Sequence, residues 1–125
     1  MSKHAFASPD AAPAVGPYSP ALAAGSLVFI SGQISLDPGG AVVGATAADQ
    51  ARRALENLRA TLIAAGLDLD AVAKTTVFLK DMGDFAAVNE VYAEFFSQPY
   101  PARSAVEVAR LPKDLLVEIE AIAVR

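Results

Sequence analysis

The sequence predicts a single α+β domain, a mostly antiparallel sheet with two helices on one face, and three observations predict it. Hydrophobic periodicity changes along the chain in the order strands, helix, strand, helix, strands. No internal repeat, linker or low-complexity segment interrupts that order. A length of 125 residues fits one compact domain and leaves no room for two ordinary ones. The apolar fraction of 54% overstates the core, because 27 residues are alanine and the larger apolar and aromatic side chains number 40. Alanine buries little area, so a domain of this composition gains from covering part of its surface with another subunit.

Residues 8–20 hold four of the eight prolines and read as an irregular lead-in. Ala21–Ala24 and Leu27–Ser31 flank Gly25-Ser26 and read as a hairpin. Asp37-Pro38-Gly39-Gly40 is a second turn before the short run Ala41–Val43. From Ala47 the period is helical: Ala51, Ala54, Leu55, Leu58, Leu62 and Ala65 lie on one face. Thr46 with Asp49 gives a capping box at its start and Gly66 a stop at its end. Residues 72–80 alternate and are β-branched, a strand. Asp84 is the expected cap of a second helix with Phe85, Val88, Tyr92, Phe95 and Phe96 on its apolar face, broken by residues 97–101. Two strands follow, 102–109 and 115–123, joined around residues 111–114.

Composition excludes several chemistries. Without cysteine there is no disulfide, thiolate nucleophile or Cys-based metal site. The one histidine, His4, sits at the terminus and is expected to be inert, so Ser-His-Asp catalysis and multi-His metal sites are not expected in one chain. A net charge of −4 argues against nucleic acid as a partner. The longest strongly apolar run, residues 27–30, is far too short to span a membrane, and no apolar leader follows Met1, so a cytoplasmic location is the expectation.

Strand parity carries the functional signal. Arg103, Ala105 and Glu107 share one face of their strand, while Glu118 and Glu120 share the face opposite Val117, Ile119 and Ala121. If the two strands neighbour each other, their charges form either a solvated ionic face or the floor of a site. In a site, an arginine offers a fork to a carboxylate and a nearby carboxylate accepts a proton from water. Parity does not choose between Glu118 and Glu120, and a simple hairpin would set Glu107 against Glu118. Gly16-Pro17-Tyr18 and Ser31-Gly32 read as backbone features, with Tyr18 a packed aromatic and Ser31 a backbone hydrogen-bonder. Arg52, Arg53 and Arg59 read as a solvated face, and Asn89 as a boundary residue or a ligand contact.

The run Pro101-Ala102-Arg103-Ser104-Ala105-Val106-Glu107, continuing into Val117-Glu118-Ile119-Glu120-Ala121, resembles the C-terminal signature of the RidA (YjgF-type) reactive intermediate deaminase family. Gly16-Pro17-Tyr18-Ser19-Pro20-Ala21, Ser31-Gly32-Gln33-Ile34 and Lys74–Asp81 match in the same order, so the likeness covers nearly the whole chain. The resemblance implies a chorismate-mutase-like fold, a homotrimer with clefts between subunits, and no metal or organic cofactor. It implies hydrolysis of 2-imino acids such as 2-iminobutanoate and 2-iminopropanoate to 2-keto acids and ammonia, which protects pyridoxal-phosphate enzymes. Carried over by position, Arg103 holds the substrate carboxylate and Glu118 activates water. Backbone at Gly32 and Ala105 lines the site, Tyr18 and Ser31 close its mouth, and Asn89 is a further contact. Two departures stand out. Ala105 occupies a position where many members carry cysteine, and residues 35–40 lack the proline common after Gln-Ile. The alternatives are a regulatory trimer that binds small carboxylates without turnover, and a holdase-type chaperone. An RNA-cleaving role, attributed to some members, is disfavoured by the acidic balance.

Overall fold

Strand and helix form near the predicted places in the computed structural model, which describes residues 2–125. The strands are β1 (Lys3–Phe6), β2 (Ala21–Ala24), β3 (Leu27–Ile34), β4 (Val72–Leu79), β5 (Ala102–Glu107) and β6 (Val117–Val124). The helices are α1 (Ala47–Ala64), between β3 and β4, and α2 (Phe85–Phe95), between β4 and β5. They form one sheet in the order β1-β2-β3-β6-β4-β5, in which only β4 and β5 pair in parallel. The β2–β3 hairpin turns at Gly25-Ser26 as expected, with Gly25 at a φ of 61°.

α1 begins at Thr46, whose hydroxyl accepts from the Asp49 amide at 3.1 Å, and ends before Gly66 at a φ of 81°. α2 begins differently from the sequence expectation. The Asp84 side chain makes no capping bond, because a 3-10 turn over Met82–Asp84 leaves its backbone already helical. Asp81, extended before that turn, is the cap, and its carboxylate accepts from the Gly83 amide at 2.8 Å.

The topology corrects a second expectation. Strands 102–109 and 115–123 are not a hairpin: β6 inserts between β3 and β4, while β5 lies beyond β4 at the sheet edge. The reason is α2, a helical crossover that returns the chain parallel to β4. β6 is buried on its helix side through Val117, Ile119, Ala121 and Ala123, as a central strand must be. These side chains, with Leu55, Leu58 and Leu62 of α1 and Val88, Val91 and Tyr92 of α2, form the core between helices and sheet.

The other sheet face is uncovered in the single chain. Leu27 and Phe29 stand there beside Val124 and Ile122, and Phe78 stands between Val106 and Glu118. Leu27, Phe29, Val106 and Val124 are 38–48% exposed. On β3 the register with β6 shifts between Ile30 and Gln33, so that Ser31 and Gly32 together stand opposite the single residue Glu120.

Candidate active site in two halves

Glu118 is on β6, paired with Ile34 on one side and Phe78 on the other, so it projects from the open face. The β3 bulge brings Gly32 against it: a Cβ at Gly32 would stand 2.7 Å from Glu118 Cδ. A side chain at that position fits only if the Glu118 carboxyl moves away. The carboxyl is half-buried, and burial first, then the charge of Glu120, pushes its pKa above the ordinary glutamate value. Both carboxylates line a cleft of about 390 Å³ with Tyr18, Ser31, Gly32, Ile34, Leu36, Pro112 and residues 12–15. Ser31 Oγ donates to Ser19 O at 2.6 Å, and the Tyr18 hydroxyl accepts from the Val15 amide at 3.3 Å. Those bonds hold the proline-rich lead-in as a wall of the cleft. Tyr18, Ser31, Gly32 and Glu118, all predicted site residues, thus meet in one place.

Arg103 is elsewhere. It pairs with Thr75 of β4, whose side chain is buried under α2, so Arg103 lies on the helix side of the edge strand. Its guanidinium carbon stands 4.9 Å from the Tyr92 ring centroid and 5.4 Å from that of Phe85, and Nη1 donates to Asn89 Oδ1 at 2.7 Å. Phe85, Asn89 and Tyr92 recur at helical spacing, so one stripe of α2 forms the seat of the arginine. Tyr92 is anchored in turn by a 2.7 Å hydrogen bond between its hydroxyl and Thr75. Burial pushes the Tyr92 pKa up, so it is a neutral aromatic floor. Ala105, two residues on, packs against the core beside Val77. Phe85 and Tyr92 are legible as core-face residues and Asn89 as a boundary residue or ligand contact, but their joint service to Arg103 needs the β4–α2–β5 crossover.

The single charged face expected from parity is therefore corrected. Arg103, Ala105 and Glu107 face the helix side and Glu118 and Glu120 the open side, because the register through β4 sets Arg103 level with inward Ala121 and Val106 level with outward Glu118. Glu107 is not near Glu118; its carboxylate accepts from the Met82 amide at 2.8 Å. Arg52 and Arg59 form exposed pairs with Glu94 and Asp68, as a solvated face does. Arg53 departs from that reading and donates to the carbonyls of Leu36 and Asp10.

Among the described residues no group of three or more His, Cys, Asp or Glu side chains could hold a metal ion. No helix is long and apolar enough to cross a membrane. A second cavity, of about 520 Å³, lies between the ends of α1 and α2, but it holds none of the predicted site residues and its Arg59 and Asp68 are paired with each other.

A family model described as endoribonuclease L-PSP matches residues 9–125. The chain is 52% identical over 128 residues to the 2-iminobutanoate/2-iminopropanoate deaminase of Salmonella typhimurium, covering 100% of this chain and 99% of that one. It is 59% identical over 110 residues to a RutC family protein of Pyrococcus horikoshii, 87% of each chain. The crystal structure of E. coli TdcF with bound serine is similar at a TM-score of 0.91 and 49% identity, covering 98% of each chain.

Proposed function

We propose that this chain, which belongs to the endoribonuclease L-PSP family of RidA-type proteins, is a hydrolytic deaminase of small 2-imino acids, 2-iminobutanoate and 2-iminopropanoate among them. The observation that carries the reading is Glu118: a half-buried carboxylate with no cation beside it, seated against a glycine in an open cleft. Such a group is poised to take a proton rather than to hold an ion pair. Arg103 supplies the complementary half, a guanidinium oriented by Asn89, Phe85 and Tyr92 with further N–H groups free to grip a carboxylate.

A small substrate reaches both halves only between two copies, because they lie on opposite faces of one sheet. In the proposed homotrimer Arg103 of one chain faces Glu118 of the next, each interface completing one cleft. The exposed apolar side chains of the open face support such burial.

In that cleft Arg103 binds the substrate carboxylate and holds C2 of the iminium form over Glu118. Water attacks C2 and gives one proton to Glu118, producing a neutral carbinolamine. Glu118 returns that proton to the nitrogen, the C–N bond breaks, and the hydroxyl proton passes back to Glu118 as the keto group forms. Ammonia leaves and takes the proton as ammonium, which restores the carboxylate. Orientation and general base catalysis suffice for so electrophilic a carbon, with the base contributing about 10²–10⁴-fold. The serine bound by E. coli TdcF carries the same pairing of carboxylate and 2-nitrogen. A phosphodiester is poorly matched to the Glu118 half of this cleft, whose charged lining residues are Glu118 and Glu120.

The test is complementation between inactive variants. Imine is generated in situ by an amino-acid oxidase and residual imine is trapped with semicarbazide. Arg103→Ala and Glu118→Gln are each expected to be inactive, while an equal mixture dissociated and reassembled recovers about a quarter of wild-type turnover, one interface in four holding both intact groups. No recovery from a mixed oligomer, with active wild type, overturns the shared cleft. Wild type that binds 2-keto acids without turnover supports the regulatory trimer instead.

A further inference from the structure

We infer that Gln50 and Asn57 of α1, which lie outside the cleft, are positioning residues that fix the height and direction of Glu118; the catalytic meaning of this rests on the deaminase reading above. Gln50, Arg53 and Asn57 are spaced i, i+3 and i+7, one stripe of α1. Every hydrogen bond these three side chains make goes to backbone, and three of the six go to Ile34 and Leu36, which line the cleft. Asn57 Nδ2 donates to the carbonyls of Ile34 and Leu36, each at 2.9 Å. Ile34 is the register partner of Glu118, and both Ile34 and Leu36 line the cleft. Arg53 Nε donates to the same Leu36 carbonyl at 3.2 Å. Gln50 Oε1 accepts from the Leu116 amide at 2.7 Å, two residues before Glu118, and its Nε2 donates to Gly44 O at 3.2 Å.

The last residues of β3 and the residue preceding β6 are thereby tied to one rigid helix. At the end of β3 the chain turns sharply, the Leu36 amide donating to Ile34 O at 2.8 Å; beyond that the backbone there is tied only by the Leu36–Val42 bridge with the Val43 amide on Ser35 O, and at Leu116 by the Lys80 amide on its carbonyl. Two further features separate this stripe from ordinary core packing. Asn57 is fully buried, yet its Oδ1 has no hydrogen-bond partner. An apolar residue would avoid that desolvated oxygen, so the position favours holding the two carbonyls over stability. Three of the four Asn57 and Gln50 contacts also fall on a segment that pairs with Glu118 or immediately precedes it, and the fourth, to Gly44, ties Gln50 to the loop before α1.

The chain is tested whole, as wild type, Gln50→Ala, Asn57→Ala and the control Thr61→Val. Thr61 is buried on the same helix, and its hydroxyl donates only to the Asn57 carbonyl, within α1. The Glu118 carboxyl is titrated by 13C NMR, assigned through Glu118→Gln, beside steady-state imine hydrolysis. The titratable and charged groups facing it are Glu120 on its own strand, Tyr18 across the cleft and, in the proposed trimer, Arg103 of the neighbouring copy, which every variant keeps; β3 and β4 present Gly32, Ile34 and Phe78. In Gln50→Ala and Asn57→Ala the Glu118 midpoint is expected to fall toward the ordinary value by about half a unit or more, as the carboxyl gains water. Turnover falls about tenfold while KM stays within about twofold, since substrate grip belongs to Arg103. Thr61→Val leaves both unchanged. An unmoved midpoint in folded Gln50→Ala overturns the inference, whether or not Asn57→Ala folds. If the midpoint moves but wild type hydrolyses no imine, the positioning role stands and the deaminase reading fails.

Discussion

Glu118 is held where its ionised form is disfavoured, and the fold bears that cost at neutral pH. Its pKa is raised by burial and then by Glu120. Below the ordinary glutamate range the group is neutral folded or unfolded, so it exacts nothing there; the penalty grows as pH rises through its folded value. Measured in a monomeric background, where no neighbouring copy's Arg103 faces the carboxylate, Glu118→Gln is therefore expected to melt higher than its parent at pH 7.5, with the difference gone by about pH 4. A lower melting temperature at pH 7.5 would show the carboxylate to be a structural ion instead. In turnover the same substitution in the wild-type chain is expected to lose about 10²–10⁴-fold, while Glu120→Gln, which is exposed, loses far less. Equal losses would assign the wrong carboxylate. Gly32→Ala pushes a methyl group into the space Glu118 occupies. A fall in kcat of about a hundredfold is expected, read beside a circular dichroism spectrum that stays native. Near-normal turnover would mean that Glu118 works from another position. The resemblance named Arg103, Glu118 and Gly32 at once; Asn57 and Gln50 escaped, because polar residues one step off an apolar helical stripe look like its boundary.

Elements were legible where a local pattern suffices. The stripe Ala51, Ala54, Leu55, Leu58, Leu62 gave α1 almost to the residue, and Thr46 caps it as expected. Thr46→Ala is accordingly expected to cost about 1 kcal/mol, measured by urea denaturation with unchanged activity. A loss under a few tenths of that would shift the start of the helix elsewhere. Pairing between distant segments was not legible. β1 escaped because Lys3-His4-Ala5-Phe6 has no alternation and becomes a strand only by lying against β2. The hairpin expected at the C-terminus failed because adjacency in sequence does not decide adjacency in a sheet once a helical crossover intervenes. One signal was present: β6 is apolar throughout but for Glu118 and Glu120 and buries every second residue, whereas β5 buries none of its residues fully. A strand of the first kind belongs inside a sheet and one of the second at its edge.

At the scale of the whole molecule, two half-sites facing away from each other would, on the proposed function, make activity a property of assembly. Phe29→Asp places a charge on the open face while leaving Arg103 and Glu118 intact. It is expected to yield a folded monomer by light scattering, with imine hydrolysis lost, where wild type runs as a trimer. Full activity from a monomer would require the site to close within one chain. The Ser31–Gly32 bulge has a consequence of the same reach. Before it the odd-numbered residues of β3, Leu27 and Phe29, face outward; after it the even-numbered Ile34 does, and Gln33 turns inward. The extra residue is absorbed within the bulge: it moves the count by one while every residue after it keeps its partner on β6 and its side of the sheet. A chain lacking Gly32 would therefore alternate without a break, Ser31 alone opposite Glu120, with Gln33 still inward and Ile34 still toward the cleft. What such a deletion removes is the backbone pressed against Glu118, like a comma struck from a sentence whose words keep their order, and it isolates what the bulge alone contributes to the cleft.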